Sequence, residues 1–229
     1  MKSVTILIPA FNEEIFLSET LAEVERLVIH YRDSLSITAI VVDDFSSDET
    51  PMIAKLAATQ FTWLRVISNP KNLGLGGSYK RGLEESDTEY ITWIPADNSH
   101  SYESLLPAFD SIGNADIIIP VPSNPSVRPI GRRFISKIYT IFINIITGFD
   151  VPYYNGLSIH NINLLRRIRI ETDGFGFQAE IIVKLLRNGS TYSFVPTLIG
   201  ERASGRSKAF SLKNIYRVLK TLKKIACVS

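Results

Sequence analysis

Four polar segments of this 229-residue chain carry the side chains that could do chemistry. They are IPAFNEE (8–14), VDDFSSDET (42–50), NLGLGG (72–77) and PADNSH (95–100). The second holds two adjacent carboxylates, Asp43 and Asp44, and Asp44 is the better candidate to accept hydrogen bonds from a nucleobase or ribose. In the third, Gly74, Gly76 and Gly77 allow close backbone approach at a helix N-terminus, whose N–H groups favour a phosphate.

The fourth segment offers a ligand for a metal ion. A divalent cation bound to a diphosphate needs only one or two carboxylates, because phosphate oxygens and waters complete its coordination. Asp97 suits that role. His100 is a candidate second ligand, although a lone histidine in a loop is more often a plain hydrogen-bonding group.

These segments also have purely structural interpretations. Asp43 can cap neighbouring backbone groups while residues 46–48 form a turn and a helix cap. The glycines of 72–77 can form a turn packed against a sheet. They do not make a dinucleotide fingerprint, because Tyr79 stands where G-x-G-x-x-G requires its third glycine.

The apolar pattern between these segments predicts an α/β fold with a mainly parallel sheet, which would position them. Short, continuous apolar runs indicate buried strands, and helical spacing of apolar residues indicates amphipathic helices between them. The predicted strands are 4–9, 37–43, 63–67, 90–94 and 116–120. Ligands bind beyond the carboxyl ends of such strands, so the four polar segments should converge on one crevice.

The pattern changes after Pro120. It predicts a very apolar helix over 130–147, and later a basic amphipathic helix over 211–225. Between them it predicts a strand at 156–160, helices at 161–168 and 177–189, and a strand at 192–196. The two amphipathic helices either pack on the sheet or a second subunit, or lie in a membrane interface.

Composition and charge exclude several classes of protein. With 45% hydrophobic and 21% charged residues, the chain is globular rather than disordered, collagenous or coiled-coil. A net charge of +2 is too small to indicate a nucleic-acid binder. The sole cysteine, Cys227, excludes an internal disulfide and a cysteine-cluster metal site. We expect neither a signal peptide nor a transmembrane span, and a cytoplasmic location.

Taken in order, the segments resemble the motifs of family 2 glycosyltransferases of the GT-A fold, particularly the dolichyl-phosphate mannose synthase-like polyprenyl-phosphate glycosyltransferases. The family's P-A-Y-N-E resembles residues 9–13, its D-D-x-S-x-D-x-T matches 43–50, and its N-x-G-x-G matches 72–76. Its G-F-x-x-x-x-E resembles Gly174, Phe175 and Glu180, and its R-x-x-G-x-S-K resembles residues 202–208. The resemblance covers nearly the whole chain.

The resemblance implies one GT-A domain over 1–229, with a nucleotide-sugar-binding half at 1–120 and an acceptor half at 121–229. Implied donor-binding residues are Pro9, Ala10, Phe11, Glu13, Asp44, Gly74, Gly76 and Asp97. Implied acceptor or phosphate-binding residues are Arg132, Arg202, Ser207 and Lys208. Asp97 would hold Mg²⁺ or Mn²⁺, and Asp97 and Glu180 are the expected catalytic residues.

Four positions depart from the family pattern. Pro95 replaces the first acid of D-x-D, which removes one carboxylate from the metal site. Ser99 stands in place of a common glutamine, and Gln178 in place of a common acid. Phe11 replaces the usual tyrosine, which keeps a stacking surface but loses the hydroxyl.

The implied reaction is inverting transfer of a sugar from a nucleotide sugar to a polyprenyl phosphate at the cytoplasmic membrane face. A phosphate acceptor is already an anion and needs little base catalysis, whereas a hydroxyl acceptor needs a base, for which Glu180 is the candidate. Two alternatives stay open: a soluble transferase acting on a sugar hydroxyl, and a non-catalytic nucleotide-sugar-binding subunit. We expect no nucleic-acid partner, and homo-oligomerisation is left open.

Overall fold

A computed structural model describes residues 1–174 and 176–199. The strands in these residues are β1 (Lys2–Ala10), β2 (Leu35–Asp43), β3 (Leu64–Ser68), β4 (Tyr90–Trp93), β5 (Ile117–Pro122), β6 (Ile159–Asn161) and β7 (Tyr192–Thr197). The α-helices are α1 (Leu17–Tyr31), α2 (Thr50–Gln60), α3 (Gly74–Glu84), α4 (Tyr102–Asp110), α5 (Ile130–Thr147), α6 (Ile162–Leu165) and α7 (Phe177–Arg187). The predicted helix over 211–225 lies outside the described residues.

The seven strands form one sheet in the order β3-β2-β1-β4-β6-β5-β7. Parallel pairs join β1 to β2 and β4, β2 to β3, and β5 to β7. Only β6 among these strands runs antiparallel, to both β4 and β5. The predicted mainly parallel sheet is therefore confirmed, and six of these strands end at the same edge.

Helices cover both faces of the sheet. Successive side chains of a strand point to opposite faces, so each strand contributes to the core on both sides. In β1, Ile6 and Ile8 pack into a cluster with apolar residues of α1, α2 and α4. Leu7 points the other way, into a cluster with residues of α3, α5, α6 and α7. Strands β1, β2 and β4 are buried on both faces over most of their length, which explains their continuous apolar sequences.

Helix α5 matches the predicted helix over 130–147 and contributes little to the core. Its buried residues are Thr140 and Ile143. It ends at Gly148, which has φ +75° and donates its N–H to the Asn144 carbonyl at 2.8 Å. The helix has large exposed apolar side chains at Ile130, Phe134, Ile135, Ile138, Ile141, Phe142 and Ile145. Within the described residues, no helix combines the length and hydropathy needed to cross a bilayer.

Candidate functional site

The loops after β1, β2 and β4 meet at the carboxyl edge of the sheet. The Asp44 N–H donates to the Ala10 carbonyl at 2.8 Å, and the Ile94 N–H donates to the Leu7 carbonyl at 2.8 Å. Asn12 links the first two loops: its N–H donates to Ser46 Oγ at 3.0 Å, and its Oδ1 accepts from the Ser47 N–H at 2.9 Å. The polar segments of the sequence thus converge on one edge.

The Asp44 carboxylate organises the beginning of α3. It is buried, and its Oδ1 accepts from the Leu73 N–H at 2.7 Å while its Oδ2 accepts from the Gly74 N–H at 2.8 Å. The side chain of Asn69 donates a third hydrogen bond to the carboxylate, to Oδ1 at 2.9 Å. A carboxylate at a helix N-terminus is stabilised by the helix dipole as well as by these N–H groups.

Two of the N–H groups that we expected to favour a phosphate are therefore bonded to Asp44. A third, that of Gly76, donates to the Asp173 carbonyl at 2.9 Å. Gly76 also permits close packing, since a Cβ there would lie 2.4 Å from the Thr172 carbonyl oxygen. In this structure the glycines bring the start of α3 against the loop at residues 172–173, whereas the structural interpretation placed them against the sheet.

Glu180 holds the segment that packs on those glycines. Its side chain is fully buried; Oε1 accepts from the Glu171 N–H at 2.8 Å and Oε2 from the Thr172 N–H at 2.9 Å. Lys184, one helical turn further along α7, donates to Oε1 at 2.6 Å. Burial opposes ionisation, but these donors together keep the pKa of Glu180 below its ordinary value.

Asp97 lies just beyond β4, with most of its surface buried. Its Oδ1 accepts from the Ser99 N–H at 3.3 Å. Burial lowers the pKa of His100 to about 4. The negative charge of Asp97 opposes this shift, and the positive charge of Arg128 adds to it. Among residues 1–174 and 176–199, no group of three or more His, Cys, Asp or Glu side chains could hold a metal ion.

A pocket that includes His100 opens at the carboxyl ends of β4, β5 and β7. His100, Arg128 and Tyr153 supply polar groups to it, and its apolar lining includes Ile94, Leu105, Phe109 and Leu157. Arg128 is anchored there, since its Nη1 donates to the Tyr153 hydroxyl at 2.6 Å. The pocket therefore offers one fixed cation within partly apolar surroundings.

Backbone strain is concentrated at the same edge of the sheet. Within the part of the chain that is described, the non-glycine residues with positive φ are Asn12 (55°), Phe45 (68°) and Asn98 (50°). They lie in the loops after β1, β2 and β4. Asparagine tolerates this conformation, but for a phenylalanine it is a genuine outlier that costs roughly 1–2 kcal/mol.

The predicted donor-site residues lie along this edge. Pro9 and Ala10 end β1, and Phe11 and Glu13 follow in its loop, with Phe11 exposed. Arg132, expected on the acceptor side, is in the first turn of α5. Phe175, Arg202, Ser207 and Lys208 lie outside the described residues.

Several contributors were not foreseen from the sequence. Asn69 binds the carboxylate of Asp44, and Lys184 binds that of Glu180. Arg128 and Tyr153 supply polar groups to the pocket. The positive φ of Phe45 was also unforeseen, because glycine, asparagine and aspartate are the residues that usually adopt it in turns.

We expect Glu180→Gln to lower the free energy of unfolding by about 3 kcal/mol at neutral pH, because it leaves Lys184 without its buried anion. Urea titration measures this. Since the folded-state pKa lies below the ordinary 4.5, the contribution is complete above pH 4.5 and is lost as the pH falls through the lowered value. The difference between wild type and variant should therefore shrink in acid.

The matched control for this prediction is Asp173→Asn, which alters an exposed carboxylate of the same segment that pairs with Lys80. An exposed ion pair contributes less than about 1 kcal/mol, so this variant should unfold close to wild type. Equal stability losses in both variants would contradict the structural importance of Glu180.

Comparison with known proteins identifies the family. Residues 5–169 match glycosyl transferase family 2. The chain is 30% identical over 220 residues to undecaprenyl-phosphate mannosyltransferase of Micrococcus luteus, covering 91% of this chain and 87% of that protein. It is 27% identical over 217 residues to polyprenol monophosphomannose synthase of Mycolicibacterium smegmatis, covering 89% and 79% respectively.

A solved structure confirms the expected fold. The crystal structure of glucosyl-3-phosphoglycerate synthase from Mycobacterium tuberculosis, in complex with Mn²⁺, uridine diphosphate and phosphoglyceric acid, superposes with a TM-score of 0.76. The match covers 100% of this chain and 80% of that one at 16% sequence identity, so it shows the fold alone. With the predicted motifs, the sheet topology and the family match in agreement, the chain belongs to glycosyl transferase family 2 and is a glycosyltransferase of the GT-A fold.

Proposed function

We propose that this glycosyltransferase moves a sugar from a nucleotide sugar to a polyprenyl phosphate at the inner face of the cell membrane. The observation that carries the proposal is the exposed apolar face of α5, which adjoins cations at the acceptor side of the fold. An acceptor with a lipid tail and a phosphate needs both an apolar surface and positive charge. The names of the two mannosyl-transferring relatives agree with this acceptor and make mannose the first sugar to test.

On the donor side, the nucleotide would bind where the loops after β1 and β2 are hydrogen-bonded together. Pro9, Ala10, Phe11 and Glu13 would line one side of it. Asp44 would contribute more through the geometry that it imposes on residues 69–74 than through an open carboxylate, since both its oxygens already accept hydrogen bonds. In the same way, Gly74 and Gly76 would shape the phosphate side by allowing close packing.

The residues near Asp97 fit a divalent cation that a diphosphate helps to hold. Asp97 provides a hard carboxylate ligand, and Pro95 supplies no second one. His100 has a pKa of about 4, so its imidazole is neutral at physiological pH and has a lone pair to donate. A bound Mg²⁺ or Mn²⁺ would offset the negative charge that develops on the departing diphosphate.

On the acceptor side, Arg128 and Arg132 would attract the phosphate of the lipid. The hydrogen bond to Tyr153 holds the Arg128 guanidinium in place, which lowers the entropy lost when it binds an anion. Arg202, Ser207 and Lys208 remain proposed phosphate-binding residues on the family motif alone.

The reaction would be a single displacement. A phosphate oxygen of the acceptor attacks the anomeric carbon while the bond from that carbon to the diphosphate breaks. The configuration inverts, and the nucleoside diphosphate leaves with the bonding electrons. The attacking oxygen carries no proton to remove, which agrees with a Glu180 whose carboxylate is buried, bonded and acidic. Glu180 is therefore proposed as a positioning residue, not as the base.

A transfer assay tests this function. Purified chain is incubated with Mn²⁺, undecaprenyl phosphate in detergent, and UDP-, GDP-, CDP- or dTDP-sugars labelled in the sugar, with mannose first. We expect the label to pass into the organic phase in an acid-labile glycosyl phosphate. Transfer to soluble glycans alone, or binding without any turnover, would contradict the lipid-phosphate acceptor.

We expect Asp97→Asn to weaken Mn²⁺-dependent binding of the nucleoside diphosphate by at least roughly tenfold, because an amide is a much poorer ligand than a carboxylate. The substitution keeps the shape of the side chain. Calorimetry with and without Mn²⁺ measures the effect, and metal-free affinity should not change. Asp33→Asn, at an exposed position, is the control. Equal metal-dependent affinity in wild type and D97N would contradict the proposed ligand.

We expect the chain to float with vesicles of phosphatidylcholine and phosphatidylglycerol, and Ile138→Glu with Ile141→Glu to abolish this. Both residues lie on the exposed apolar face, which Arg133 and Lys137 border on one side. Ile29→Glu makes the same change at an exposed position of α1 and should leave flotation intact. A chain that never floats but forms a dimer disrupted by the α5 substitutions would show that α5 covers a second copy instead.

A further inference from the structure

Phe45 combines two energetically unfavourable features. Its backbone has φ +68°, which favours glycine, and 59% of its surface is exposed. A large apolar side chain in this state neither relaxes the backbone nor gains much from burial in the core. Strained residues of this kind persist where the surrounding structure holds them, and they cluster at ligand sites.

The surroundings of Phe45 do hold it. The following residue, Ser46, donates its N–H to Asp43 Oδ1 at 3.1 Å and accepts from the Asn12 N–H at 3.0 Å. The preceding residue, Asp44, is bonded through its own N–H to Ala10. The turn is therefore fixed on both sides, and the ring is directed outward by a backbone that it does not itself favour.

Phe11 is a second exposed aromatic residue, in the loop that follows the strand next to that of Phe45. Ala10 and Asp43 are register partners in the parallel ladder of β1 and β2. Phe11 and Phe45 come one and two residues after these partners, and both are exposed, Phe11 to 38%. Their backbones thus emerge side by side at the edge where the nucleotide of the donor is proposed to bind.

We propose that Phe45 is a nucleobase-stacking residue of the donor site, held in a strained conformation before the nucleotide arrives. This inference rests on the proposed use of a nucleotide sugar. Every nucleobase offers a flat face that an aromatic ring can cover, so stacking raises affinity without selecting one base. Phe45 would therefore bind the nucleoside part of the donor and leave the sugar and the diphosphate to other residues.

The test compares Phe45→Ala, Phe45→Leu and Phe45→Trp by calorimetry with UDP and GDP in Mn²⁺. The alanine and leucine variants should bind both nucleotides roughly 5- to 100-fold more weakly, while tryptophan keeps the aromatic face and restores binding. Affinity for inorganic pyrophosphate with Mn²⁺ should not change, since it has no base. Phe194→Ala, at an exposed position of β7, is the control and should bind as wild type does.

A fourth variant, Phe45→Gly, tests the strain separately. It lacks the ring, as Phe45→Ala does, but it accepts positive φ without cost. Its melting temperature should exceed that of Phe45→Ala by roughly 2–4 °C, with equally weak nucleotide binding.

Unchanged affinity for UDP and GDP in Phe45→Ala and Phe45→Leu would overturn the stacking role and leave the proposed function standing. Loss of vesicle flotation in place of nucleotide affinity would overturn it too, by assigning the ring to a lipid surface. A wild-type chain that binds no nucleoside diphosphate would overturn both proposals.

Discussion

The hydrogen bonds between the buried Asp44 carboxylate and the first N–H groups of α3 are the interaction on which the rest of the site depends. A buried charge is tolerated only with partners, and here the partners are the unsatisfied donors that begin a helix. Each is a hydrogen bond to a charged group, worth roughly 1.5–3 kcal/mol. The loop after β2 and the helix after β3 are thereby fixed as one unit.

A second buried carboxylate extends this framework. Glu180 binds the backbone of residues 171–172, and the next carbonyl, that of Asp173, accepts from the Gly76 N–H. The late helix α7 is thus tied to the early helix α3, although about a hundred residues separate them in sequence. Asp44, predicted from the sequence to bind the nucleotide, and Glu180, predicted to be catalytic, both bind backbone N–H groups and so fix the segments that surround the cleft. Fixed dipoles and charges are what a site that binds a charged donor needs.

Helix α5 differs from these buried residues, because it contributes few side chains to the core. Most of its large apolar side chains are exposed, and its buried residues are Thr140 and Ile143. An exposed apolar helix suits the proposed acceptor, because the lipid tail of a polyprenyl phosphate needs an apolar surface. The guanidinium of Arg128, which donates to the Tyr153 hydroxyl, lines the pocket with His100 and lies two residues before α5 begins.

The sequence by itself determined the classes of element, the parallel sheet and the convergence of the polar segments. These follow from local periodicity and from the rule that parallel strands end at one edge, and the extent of α5 could be predicted for the same reason. The antiparallel direction of β6 could not, since three residues carry no signal of strand direction.

The tertiary structure alone decided which polar groups are open and which are bonded. Asn69 and Gly74 lie 25 and 30 residues from Asp44, and Thr172 lies eight from Glu180. A motif marks the carboxylate but does not identify its donors, because donors are brought into place only when distant segments pack. The strained turn at Phe45 has the same origin: it is held by Asn12, which belongs to another loop.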